Sequence, residues 1–129
     1  MGDWTQIRGW LYHPTIPVYD AVRRMVEAYK EKGPYPGVWV LPRDPDQNWD
    51  YTFLGGDART QAVPAFREMV RAIAEGISVP CFDDDDGSRD TVEGYVRCDS
   101  DQGDREEWEC LNGTFTVRKG RSPGEPAAG

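Results

Sequence analysis

Two stretches of the chain place apolar residues at helical spacing, and most of the remainder alternates or turns. Through VYDAVRRMVEAYKEKG, Val18, Val22, Met25, Val26 and Tyr29 fall on one side of a helix, with Arg23, Arg24, Glu27, Lys30 and Glu31 mostly opposite. Pro17 suits its first turn, and Lys30, Lys32 and Gly33 mark its end. A second helix is predicted over about Gln61 to Glu75, with Phe66, Met69, Val70 and Ile73 as its apolar face and Gly76 as its stop.

Between and beyond these lie the strands. Trp4 to Tyr12 is rich in aromatic and β-branched residues, and Gly9 inside it marks a bulge or a close backbone approach. Val38 to Leu41 and Tyr51 to Leu54 read as a strand pair joined by the polar turn RDPDQNWD and closed by Gly55-Gly56. ISVPCF is a short strand that Pro80 assigns to an edge or a bend. The last third reads as a meander of Glu93 to Cys98, Glu107 to Leu111 and Thr114 to Arg118. Asn112-Gly113 makes its tight hairpin turn, because both residues tolerate positive φ.

The order is therefore β-α-β-β-α-β followed by further antiparallel strands. It predicts an α+β fold: a mainly antiparallel sheet with two helices packed on one face, a ferredoxin-like core and a C-terminal β-meander. Residues 1–120 read as one domain and 121–129 as a flexible tail. The hydrophobic share of 38%, with 12% aromatics, is enough for one core in 129 residues.

Charge changes this picture more than composition does. The net charge is −8, and Asp83 to Glu109 alone carries twelve acidic residues against three arginines. The rest of the chain is close to neutral. Such a surface repels phosphates and attracts basic proteins or cations, so the expected partner is a protein with a basic surface, and nucleic acid is disfavoured. No apolar run reaches the roughly 20 residues that cross a bilayer. MGDWTQIRGW lacks the basic start and apolar stretch of a secretory signal, and three widely spaced cysteines favour reduced, buried thiols. The expectation is a cytoplasmic protein without membrane contact.

Few residues carry recognisable chemistry. CFDDDDGSRDTVEG overlays a calcium loop with Asp84, Asp86, Ser88, Asp90 and Glu93 at ligand positions and Gly87 at the turn. Phe82 occupies the first ligand position and the flanks read as strands, so the stretch is taken as the edge of an acidic surface and no metal is assigned. His13, the only histidine, reads as a satisfied turn residue, and the cysteines as inert strand positions. Glu107 and Glu109 alternate with Trp108, which implies a charged outer and an apolar inner face. Most aromatics belong to the core, whereas Tyr35 and Trp49 sit in loops and are candidate anchors for a partner.

Trp4-Thr5-Gln6-Ile7-Arg8-Gly9 before the first helix, and Gly56-Asp57-Ala58-Arg59 before the second, resemble small uncharacterised α+β proteins of phages and mobile elements. The similarity covers about the first 75 residues and brings no catalytic residues. It implies a non-enzymatic accessory or inhibitory protein.

The expected function is thus a small acidic interaction protein, with no catalytic residue and no cofactor. Its expected partner-binding residues are Asp83, Asp84, Asp85, Asp86, Asp90, Tyr35 and Trp49. The alternative is a ligand- or metal-binding domain, or a small enzyme, using the sheet face or the Gly55-Gly56 turn.

Overall fold

The computed structural model describes residues 3–44, 46–81 and 87–121. Its elements are β1 (Trp4–Tyr12), α1 (Ile16–Lys32), β2 (Trp39–Val40), β3 (Tyr51–Arg59), α2 (Val63–Gly76), β4 (Ser78–Pro80), β5 (Arg89–Thr91), β6 (Glu93–Ser100), β7 (Asp104–Leu111) and β8 (Thr114–Arg121). Short 3-10 turns, Pro36–Val38 and Thr60–Ala62, lead into β2 and α2.

Six strands form one sheet in the order β2-β3-β1-β6-β7-β8, and β4 and β5 form a separate hairpin. Every pairing is antiparallel. The fold class is therefore α+β, with two helices and a mainly antiparallel sheet.

Strand alternation sorts the sheet into two faces. Ile7 and Leu11 of β1, Leu54 and Ala58 of β3, Val96 and Cys98 of β6, and Trp108 and Cys110 of β7 point inward. They join Val18, Val22 and Val26 of α1 and Phe66, Val70 and Ile73 of α2 in one buried cluster. Trp39 fills the centre between Tyr29 of α1 and Phe66 of α2. Trp108 lies inside while Glu107 and Glu109 alternate to the other face, as the sequence pattern implies.

Several local features follow from single residues. The Thr15 side chain accepts a hydrogen bond from the Val18 backbone N–H and caps α1. Asn112 and Gly113 have φ of 53° and 76°, so both adopt the left-handed region and β7 turns directly into β8. A Cβ on Gly9 would lie 2.6 Å from Val96 Cα and press on the Tyr95 carbonyl oxygen. Gly94 is equally confined from the other side, its Cβ falling 3.1 Å from Leu11 Cα. Bare backbone at both positions is what lets β1 and β6 approach.

Three expectations need correction. Gly55-Gly56 is not a turn: β3 runs through it to Arg59, because β1 pairs along its whole length from Tyr12↔Tyr51 to Trp4↔Arg59. Long-range pairing overrides the local glycine signal here. The strand that follows α2 in the main sheet is β6, since Ser78–Pro80 pairs instead with Arg89–Thr91. Arg121, assigned to the tail, is the last residue of β8, and residues 122–129 lie outside the described residues.

Candidate functional site: the open face of the sheet

The face of the sheet opposite the helices carries most of the large exposed apolar side chains. Trp10 of β1 is 39% exposed, Tyr51 and Phe53 of β3 are 41% and 50% exposed, and Val40 of β2 is 46% exposed. Strand register places Val40, Phe53, Trp10 and Tyr95 in one row across four neighbouring strands. Tyr12 and Tyr51 stand opposite one another in the row beside it. The rings touch: Trp10 and Tyr51 meet edge to face at 6.2 Å, Tyr12 and Tyr51 at 5.4 Å, and Tyr51 stacks on Phe53 at 5.8 Å. A cleft of about 390 Å³ beside Phe53 and Tyr51 continues the patch past the sheet edge to Arg43.

On the other side of the aromatic row lies a charged one, Gly55–Arg8–Arg97–Glu107–Arg118. Beyond it, Asp99 sits between two guanidiniums, 2.9 Å from Arg97 and 2.6 Å from Arg105. Glu107 lies 3.3 Å from Arg118, and burial together with a hydrogen bond to Glu107 raises the Tyr95 phenol above its ordinary range. Arg59 stacks over the Trp4 ring at 4.7 Å. Arg8 is exposed and has no ion pair among the described residues.

Among the described residues the face is electrically balanced, although the protein is not. Its arginines are Arg8, Arg59, Arg97, Arg105 and Arg118. Its carboxylates are equally numerous, at Asp57, Glu93, Asp99, Glu107 and Glu109. The acid-rich segment is thus split by the fold, because strand alternation sends Glu106 to the helix side and its neighbours to the open side. Glu106 receives a two-pronged contact from Arg67 of α2, both distances 2.8 Å, and a 3.0 Å hydrogen bond from the Trp108 indole N–H. Burial raises the Glu106 carboxyl, but the hydrogen bonds from Arg67 and Trp108 outweigh it, and the group stays below the usual carboxylate range.

The residues singled out from sequence are not gathered in one place. Asp83, Asp84, Asp85 and Asp86 lie outside the described residues. Asp90 is half-buried in β5, opposite Val79. The strands β4 and β5 flank that stretch of sequence, and among the described residues no cluster of His, Cys, Asp and Glu is arranged to hold a metal. Tyr35 is half-buried against the core with φ of 50°, and Trp49 is half-buried in a cleft beside Tyr19 and Arg23. Neither borders the aromatic row. The exposed aromatics are strand residues instead, and the pattern YTFL hides them because its polar residue points inward.

That inversion has a cause in His13. Its ring is fully buried, with Nδ1 2.7 Å from the Trp49 carbonyl oxygen and Nε2 2.8 Å from Thr52 Oγ1. A carbonyl only accepts, so Nδ1 carries the proton and Nε2 accepts from the Thr52 hydroxyl. Thr52 must face inward to do this, which turns Tyr51 and Phe53 outward. Burial lowers the His13 pKa below its ordinary 6.5, against opposing contributions from the Trp49 carbonyl and Asp50. The unfolded chain then takes up the proton first as pH falls. His13 therefore contributes stability that is present above pH 6.5 and lost below it. Urea denaturation between pH 7.5 and pH 5.5 checks this. Stability falls with acid in the native protein, and the slope flattens in His13→Gln.

Two other sites carry less. Burial pushes the Cys110 thiol up to about 12 and the Cys98 thiol higher still, so both are protonated, inert core groups. A cleft of about 260 Å³ runs between the start of α2 and the sheet beside Thr5 and Thr60. Its arginines, Arg67 and Arg105, are each held by a carboxylate. No helix among the described residues is long and apolar enough to cross a membrane. The chain matches no protein-family model, no curated protein and no solved structure.

Proposed function

We propose that this protein is a non-enzymatic binding protein whose working surface is the open face of its sheet. The observation that carries the reading is the contiguous aromatic patch of Trp10, Tyr12, Tyr51 and Phe53, exposed on paired strands and bordered by arginines and carboxylates. Clustered Trp, Tyr and Arg with a polar surround is the composition of binding hot spots. An accessory or inhibitory role fits a chain with this surface. The strand order β2-β3-β1-β6 with both helices supports reading the core as ferredoxin-like. On that reading the β4–β5 hairpin is inserted before its last strand, and β7 and β8 extend it.

The test is site-specific photo-crosslinking in the cells that make the protein. A photoreactive residue at position 53 should give discrete adducts, and one at Glu31 on α1 should not. Adducts from Glu31 alone, or from neither position, would remove the open face as the working surface. A second reading, capture of a basic protein by segment 83–109, is favoured by the net charge of −8. Affinity for such a partner that does not change with salt would exclude it.

A further inference from the structure

We infer that the open face holds single-stranded nucleic acid, with bases stacked on the aromatic row and a phosphate beside Arg8. The inference rests on the reading of that face as the working surface. β3 and β1 lie side by side in the six-stranded sheet, between β2 and β6. They present Trp10 on one, and Tyr51 and Phe53 two residues apart on the other. Exposed aromatics on the face of an antiparallel sheet are the arrangement with which sheet-type RNA binders stack bases. Every base has a stackable face, so such a platform is tolerant of sequence.

Backbone chemistry is answered in the next row, about 7 Å further along each strand. There Arg8 stands directly opposite Arg97. Like charges facing one another across strands are destabilising. Asp99 pairs with Arg97 and Arg105, and Arg8 makes no ion pair among the described residues. A local conflict of this kind is retained where function uses it, and an anion bound against Arg8 resolves it. Gly55, across from Arg8, supplies the room: a Cβ there would meet nothing within 4 Å, so bare backbone adjoins both Phe53 and Arg8.

The charge sum of −8 argues against nucleic acid as a polyanion, and it defines which form is accepted. A duplex keeps its base faces stacked inside and offers this face no ring to stack on, and the surplus acid repels its phosphates. A single strand offers bases, whose stacking does not depend on net charge. Affinity must therefore come mainly from the rings, with few phosphates contacted and a shallow dependence on salt.

The experiment titrates the intact protein with ten-nucleotide oligo(dT), oligo(rU) and a ten-base-pair duplex, read by fluorescence anisotropy of the labelled oligonucleotide. Saturable binding of at least one single strand and none of the duplex is expected. The slope of log K against log salt should be about −0.7, the value for one phosphate on a single strand. Trp10→Ala with Phe53→Ala should weaken binding tenfold or more per stacked base. Gly55→Val should block the phosphate position, while Arg8→Gln should bring the slope close to zero. Thermal melts of the same variants act as the fold control. No saturable single-strand binding at low salt, binding untouched by the face variants, or a slope steeper than about −3 would overturn the inference. If position 53 still crosslinks to a protein when oligonucleotides fail, the working surface stands and its occupant is a protein. If both fail, both readings fall.

Discussion

Replacing Gly9 with alanine is expected to cost about 2–3 kcal/mol, although it adds one methyl group to a strand with an exposed outer face. The new Cβ points inward, where Val96 Cα is 2.6 Å away and the Tyr95 carbonyl is nearer still. Both are backbone atoms, so no side chain can rotate aside. Relief requires β1 and β6 to separate, which strains a pairing eight residues long at the middle of the sheet. Gly55→Ala is the matched control, since its Cβ meets nothing within 4 Å. It should be neutral or gain up to about 1 kcal/mol by restricting the unfolded chain. Urea unfolding of both variants checks the pair, and a Gly9→Ala cost below about 0.5 kcal/mol would show that the approach of β1 to β6 is not tight.

Trp108→Ala is expected to cost about 3–5 kcal/mol, a large share of the stability of a domain this size. The ring is fully buried, packs on Phe115 at 6.2 Å, and donates its N–H to Glu106. Trp108→Phe separates the two contributions. It keeps most of the volume and removes the hydrogen bond, at about 1–2 kcal/mol. The acid dependence separates them further. Glu106 has a lowered pKa in the folded protein, so its contribution is present above the ordinary carboxylate value of 4.5 and lost as pH falls through the folded value. Removing the indole donor should raise that folded value and shrink the acid loss. An unchanged acid limb in Trp108→Phe would show that Arg67 alone holds Glu106.

Much of the framework is legible in the chain because it is written in short-range pattern. The helix stripes, Pro17 in the first turn of α1, the Asn112-Gly113 turn and the inward Trp108 each follow from residues close in sequence. What is not legible depends on register. Gly55-Gly56 breaks a local strand pattern, yet β1 supplies partners for nine residues of β3, and the strand continues. The site was hidden for a related reason. Tyr51-Thr52-Phe53-Leu54 offers no clean alternation, and the buried His13, thirty-nine residues from Thr52, helps hold Thr52 on the inner side with Leu54. Tyr35 and Trp49 were the expected anchors because they lie in loops, but both pack partly inward while Trp10 and Phe53 look outward. The charge sum was legible and its placement was not, since strand alternation divides the acidic segment between two faces.

The most direct measurement is a map of amide and indole NMR shifts of the ¹⁵N-labelled protein on addition of oligo(dT). The account predicts that the perturbed signals belong to Arg8, the Trp10 indole, Phe53, Gly55 and Tyr95, with α1 and α2 unmoved. Perturbations centred on Arg67 and the start of α2, or none with any single strand, would contradict it.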